Sequence, residues 1–292
     1  LPLMTLAMLY FLAFGMKAAA FPVNFWLPAS YHTPRIVVSA LFAGLLTKVG
    51  IYALLRTLVM LFPVEREELS FLIALVGVAT MLLGALGALG QSDIRRLVGY
   101  VVISGIGVML AGLSLGSPGG IGGAIFYALH SMVVMTGLYM AAGLAGRLAG
   151  SFDLNCLGGL HTRSVLLSTL SLVLFFAASG LPPFSGFWPK VMVAKAAIDI
   201  GAWWLTGAVF LTGFLTTIAL GRVFTLAYWR PATMAMPAAS IPASAMLPLV
   251  ALTALTVVFG LFPNALLTII QQAAQGLSDP SAYIGSVFPG VN

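Results

Sequence analysis

Long apolar runs alternate along this chain with short polar connections. The runs fall at about 1–28, 36–62, 70–90, 97–115, 120–148, 164–200, 203–229 and 245–272. A helix rises ~1.5 Å per residue and the hydrocarbon core of a bilayer is ~30 Å thick, so about 20 apolar residues suffice to cross it. The pattern predicts an all-α polytopic membrane protein with about eight transmembrane helices. Two of them carry internal prolines: Pro22 and Pro28 in FPVNFWLP, and Pro182, Pro183 and Pro189 in GLPPFSGFWP. Proline lacks the N–H that a helix ladder needs, so both spans are expected to be broken.

Charge placement decides whether 164–200 is one broken span or two short ones. Counted as one, it puts Arg35, Arg95, Arg96, Arg147, Arg163, Arg222 and Arg230 on one side. The other side then holds only Arg56 and Arg66, beside Glu65, Glu67, Glu68 and Asp199. Seven arginines against two fits the positive-inside rule and makes the first group cytoplasmic. Splitting the run would send Arg222 and Arg230 outside and spoil the asymmetry.

Composition narrows the classes further. Hydrophobic residues make up 61% of 292 positions and charged residues 7%, which excludes an ordinary soluble domain. The net charge of +6 comes without any basic cluster of the kind that binds nucleic acid. A single cysteine, Cys156, excludes an internal disulfide and leaves no second thiolate for a zinc or iron–sulfur set. The chain opens inside an apolar run without a basic n-region or cleavage site, so further residues are expected before Leu1. No GxSxG, HExxH or glycine-rich phosphate loop is present, and neither an enzymatic role nor a cofactor or metal is expected.

The chemistry that remains is in the lysines. All four, Lys17, Lys48, Lys190 and Lys195, sit inside apolar runs, whereas the arginines sit in or near the connections. Burial in apolar surroundings disfavours the charged form of an amine, so such groups can exchange protons near neutral pH. Lys48 falls near the middle of its span, and Lys17 and Lys190 flank the proline breaks. Lys195 is close enough to Asp199 to pair with it at the membrane surface. His130 is the one histidine well inside a run, and imidazole suits a shuttle between lysines. The alternative for each is structural: an amine capping broken backbone, or a hydrogen-bonded core histidine. His32 lies in a cytoplasmic connection, where it could guard a proton path, and His161 is read as solvated.

An internal echo accompanies these residues. Gly44-Leu45-Leu46-Thr47-Lys48 in the second span resembles Gly213-Phe214-Leu215-Thr216-Thr217 in the seventh, and each copy follows a broken, lysine-bearing span. Spans five apart run in opposite directions, the arrangement of inverted-repeat transporters with discontinuous helices.

Four segments carry a resemblance across nearly the whole chain: FGMKAAAFPVNFWLPASYHTP, VSALFAGLLTKVGIYALLR, QSDIRRLVGYVVISGIG and GLPPFSGFWPK. In sequence and order they resemble the proton-translocating antiporter-like family, which includes the large membrane subunits of respiratory complex I and of Mrp-type sodium/proton antiporters. FWLPASYHTP, SGFWPK and the tail DPSAYIGSVF are most similar to the D-subunit branch of the Mrp antiporters.

The resemblance implies a fourteen-helix fold with two inverted five-helix units, of which this chain would supply helices seven to fourteen. Residues 1–62 would close the first unit, 70–230 would form the second with its broken helix at 164–200, and 245–292 would be a C-terminal helix and tail. It implies a proton relay through Lys17, Lys48, His130 and Lys190, to which position in the chain adds Lys195 as a further candidate, and partners in a hetero-oligomer of antiporter subunits in the cell (inner) membrane. Sodium would move elsewhere in that assembly. Two departures stand out: Met135 occupies a position where many relatives have lysine, and the family's glutamate partner to Lys17 belongs to a helix outside this sequence. The alternatives are a proton-pumping subunit of a complex I-like NADH:quinone oxidoreductase or related hydrogenase, and a non-transporting membrane scaffold.

Overall fold

The computed structural model describes residues 2–232 and 240–287, and among them the structure is helical, with one isolated bridge between Asp93 and Asp153 and no strand. The first run folds as α1 (Pro2–Ala18) and α2 (Trp26–Tyr31), followed by α3 (Ile36–Leu61) and the short α4 (Pro63–Glu68). Next come α5 (Ser70–Gly90), α6 (Ile94–Leu115) and α7 (Pro118–Ala149). One turn, α8 (Leu160–Arg163), leads into the second broken span, α9 (Val165–Ser179) and α10 (Phe187–Asp199), and then α11 (Trp203–Trp229).

The expected last span, 245–272, is not one helix. It divides into α12 (Ala243–Leu261) and α13 (Asn264–Ser278), followed by α14 (Ser281–Val287). The break is local. Pro263 cannot continue the ladder, and Phe262 before it leaves helical geometry at φ −123°, ψ 60°. Hydropathy masked the break because α13 is amphipathic rather than polar: Ile270 and Ala274 are buried while Gln271, Gln272 and Gln275 are exposed. Leu1 and, in the 245–292 segment, Phe288 of the tail motif and the residues after it lie outside the described residues.

The helix ends sort into two sets. At one end Arg230 donates to the carbonyls of Leu154 (2.7 Å) and Leu157 (2.6 Å), and Arg222 donates to that of Leu89 (2.6 Å). Arg96 meets His32 at the same end. Arg222 thus satisfies a carbonyl at the C-terminus of α5, and Arg230 pairs carbonyls of the connection between α7 and α8. At the other end Arg66 donates to Ser114 O (3.2 Å) and Phe71 packs on Trp204. The backbone of Gly159 donates to Arg230 O at 2.6 Å, which brings the connections before α9 and after α11 together. That pairing requires α9 and α10 to act as one broken crossing.

Asp93 caps α6, accepting from the backbone of Arg95 (2.8 Å) and from its guanidinium (2.7 Å). Burial works against its charge, but the hydrogen bonds and charge of Arg95 outweigh burial and hold the carboxyl below its usual range. The helix it caps is the centre of the bundle, buried along almost its whole length and flanked by α5 and α7. Close approach explains the glycines there. A methyl at Gly84 would meet the backbone of Ser104, and one at Gly107 the backbone of Met81.

The two broken spans repeat one backbone device. α1 ends at Ala18 and α9 at Ser179, and each is followed by a left-handed residue, Ala19 (φ 64°) or Gly180 (φ 82°). In each, the next amide reaches five residues back, Ala20 N to Gly15 O (2.9 Å) and Leu181 N to Phe176 O (3.0 Å). A tight turn follows, Val23 N to Ala20 O and Phe184 N to Leu181 O, around the cis bonds Phe21–Pro22 and Pro182–Pro183. The long partner helices α3 and α11 run in opposite directions between the two ends and both contain wider π-type turns, at Phe42–Leu46, Leu55–Leu61 and Phe224–Trp229.

Candidate functional site

Breaking a helix frees carbonyls that something else must satisfy. In the second break that group is Lys190, whose amine donates to Ser179 O at 2.6 Å across the gap between α9 and α10. Its side chain lies against Gly180, where an added Cβ would stand 2.6 Å from Lys190 Cδ. In α3 the π-type turn at Phe42–Leu46 plays a similar part, because Lys48 donates to Ala43 O within it. Lys48 is 1% exposed and Lys190 6% exposed, so both amines are enclosed by protein.

His130, fully buried on α7, lies within electrostatic reach of both. Its Nδ1 meets Ser185 Oγ at 2.8 Å, and Ser185 sits in the proline-broken segment just before α10. Tyr127 packs edge-on against the ring. The other ring nitrogen, Nε2, has no partner among the described residues, and neither do Ser39 Oγ, Thr47 Oγ1 and Ser131 Oγ. Buried polar atoms are normally paired. Here the unpaired ones include the direct chain neighbours of Lys48 and of His130. His130, Ser185 and these hydroxyls are groups able to donate and accept protons.

The structure does not bring all the sequence candidates together. Lys17 is exposed at the end of α1 and makes no hydrogen bond or ion pair among the described residues. Nearby, Met16 O accepts from the backbone amide of Ala19 (3.1 Å) and also from the indole of Trp26 (3.1 Å). Lys195 stands apart as well, 74% exposed and paired with Asp199 at 3.0 Å. It belongs to the surface, not to the buried string, because it projects from a different face of α10 than Lys190 does. Met135, on the same helix as His130, is buried.

His32 bonds through Nδ1 to Pro28 O (2.9 Å) and through Nε2 to Arg96 (3.1 Å). A carbonyl only accepts, so Nδ1 carries the proton and Nε2 accepts from the guanidinium. His161 is not merely solvated, since its Nδ1 meets Ser168 Oγ at 3.1 Å. Sequence reasoning missed Ser185. Its signal was a lone hydroxyl inside PPFSGFWP, a segment whose contacts the break makes impossible to infer from periodicity.

Two discontinuous helices with buried amines at irregular backbone, among long apolar helices, define the class of a polytopic helical membrane protein with broken spans. Residues 1–216 match the family described as NADH:quinone oxidoreductase/Mrp antiporter, transmembrane, and the chain belongs to that family. It is 34% identical over 283 residues to the D subunit of the Na(+)/H(+) antiporter of Alkalihalophilus pseudofirmus, an alignment covering 97% of this chain and 57% of that protein. The chain thus spans a little over half the length of this relative. Its fold superposes on a chain of the Mrp complex from Dietzia sp. DQ12-45-1b with a TM-score of 0.90, at 30% identity, covering 96% of this chain and 60% of that one. A chain of the membrane-bound sulfane sulfur reductase, an archaeal respiratory membrane complex, gives a TM-score of 0.88 at 25% identity, covering 97% and 57%.

Proposed function

We propose that this chain is part of the proton-translocating subunit of a multisubunit monovalent cation/proton antiporter, of the sodium/proton type, in the cell membrane. It works as a secondary transporter subunit, not an enzyme. Protons pass between Lys48 and Lys190 by way of His130, using the hydroxyls of Ser39, Thr47, Ser131 and Ser185 and intervening water. Residues 1–62 complete one five-helix unit and 70–230 form the second, with the arginine-rich ends cytoplasmic. Lys17 joins the path from its exposed face, where a further helix supplies its partner. The observation that carries this reading is the pair of enclosed amines, each held by a carbonyl of irregular backbone, with an incompletely paired histidine within electrostatic reach of both. The similarity to the D subunit of a sodium/proton antiporter favours cation exchange as the energy coupling. The likeness to a respiratory complex keeps a redox-driven proton pump as the second reading.

Arginine against lysine at position 48 tests the relay. Guanidinium stays protonated, so a structural cation survives Lys48→Arg and a proton carrier does not. In the assembled full-length complex, cation-driven proton flux is expected to fall about 100-fold or more in both Lys48→Ala and Lys48→Arg, with normal complex levels. Wild-type flux in Lys48→Arg excludes the relay role. Flux driven by a sodium gradient in vesicles without electron donors separates antiport from redox pumping.

A further inference from the structure

A second feature involves Lys48 from its other side. A half-open cavity of about 470 Å³ lies between α3, α7 and the α13–α14 segment, with Lys48 at one end. Cavities of ~300–1,000 Å³ are the size that takes small amphiphilic molecules. Ile51, Leu55, Leu129, Met132 and Leu277 give it apolar walls. Lys48 turns its amine away, to Ala43 O, five residues nearer the start of α3. Arg56 and Tyr283 stand at the other end, about 12 Å from Lys48 along the helix at ~1.5 Å per residue.

Arg56 is the informative residue. Its guanidinium lies over the Tyr283 ring, 4.8 Å from the centroid, and among the described residues it forms no ion pair. A cation–π contact leaves the N–H donors of a guanidinium available, and their forked arrangement suits a phosphate. The end of α3 that carries Arg56 leads into α4 and its glutamates, near the membrane boundary. One wall is α13, whose exposed glutamines and packed apolar face are those of a helix lying in the interface.

We propose that this cavity holds one acyl chain of an anionic phospholipid, with the phosphate on Arg56 and the alkyl chain running inward along α3 and α7. The walls exclude a polar occupant, and the unpaired cation at the mouth selects a negative headgroup. The alkyl chain fills the apolar space behind Lys48, so that the enclosed amine exchanges protons on the His130 side. That consequence rests on the relay reading, whereas the lipid site does not.

The test is photolabelling of the full antiporter complex in phosphatidylcholine vesicles containing a phosphatidylglycerol probe with a diazirine in its acyl chain. Label is expected on peptides spanning 125–132 and 273–277. It should fall by about tenfold in Arg56→Gln, the loss of one charge-assisted contact, and persist in Arg56→Lys. Ala128→Phe, which narrows the cavity from the α7 wall, should also reduce it while the complex assembles. Equal labelling by a phosphatidylcholine probe, equal labelling of Arg56→Gln, or unlabelled peptides because another subunit fills the cavity would each overturn the proposal. The readout is labelling, not flux, so the lipid site and the proton relay can fail separately.

Discussion

The two helix breaks share a backbone and differ in what they hold. Around Pro22 and around Pro183 the chain leaves the helix through a left-handed residue, reaches back five residues and turns tightly. At the first break an indole at the protein surface adds a second donor to Met16 O, which the Ala19 amide already satisfies. At the second a buried amine takes it, with a histidine-bearing helix alongside. Local sequence is enough to make the break, because proline and the residue before it restrict the backbone whatever surrounds them. Whether the break becomes a site depends on which side chain arrives and how well it is enclosed. In this chain the second break is complete and the first presents Lys17 outward.

The largest effect should come from removing the carbonyl's partner at each break in turn. Lys190→Ala in the full-length complex should lower proton flux about 100-fold or more. Trp26→Phe, which removes the side-chain donor at the first break, should cost at most about 1 kcal/mol of stability and leave most of the flux. Flux measured in vesicles beside melting of the complex distinguishes them. Equal losses of flux would show that carbonyl satisfaction, not the amine, is what the second break needs.

A smaller effect separates the left-handed positions. Gly180→Ala places a Cβ in a conformation that L residues avoid and against the Lys190 stem, and should cost about 2 kcal/mol and loosen Lys190 from Ser179. Ala19→Gly at the matching position should be close to neutral, since relief of backbone strain offsets the lost buried methyl. Chemical denaturation of the two variants checks the asymmetry.

Away from the breaks, Asp93→Ala should destabilise the α6 start by about 1 kcal/mol. Because its folded pKa is depressed, the carboxylate's contribution is present above the ordinary aspartate range and is lost as pH falls through the folded value. Melting temperature against acid pH should therefore flatten in Asp93→Asn. The smallest change belongs to Lys195→Ala. It removes an exposed pair worth about 0.2–1 kcal/mol, and flux should remain near wild type. A large loss of flux would return Lys195 to the path.

Much of this architecture is determined by the chain alone. Apolar run lengths, proline positions and the distribution of arginines suffice for the crossings, the two breaks and their parity, because a bilayer imposes length and charge rules on each segment independently of its neighbours. The division at Pro263 was legible too, but it was outweighed by hydropathy that continued across it. What only the tertiary structure decided is enclosure and partnership. Lys17 and Lys190 look alike as sequence, each flanking a proline break, whereas Lys195 already has Asp199 four positions on. Packing of α7 and α11 around the second break buries Lys190, the π-type turn of α3 turns Lys48 inward, and Lys17 and Lys195 remain at the surface. Ser185 reaches His130 from 55 positions away, a contact that no local spacing encodes, because it exists only where a broken helix is brought against an intact one.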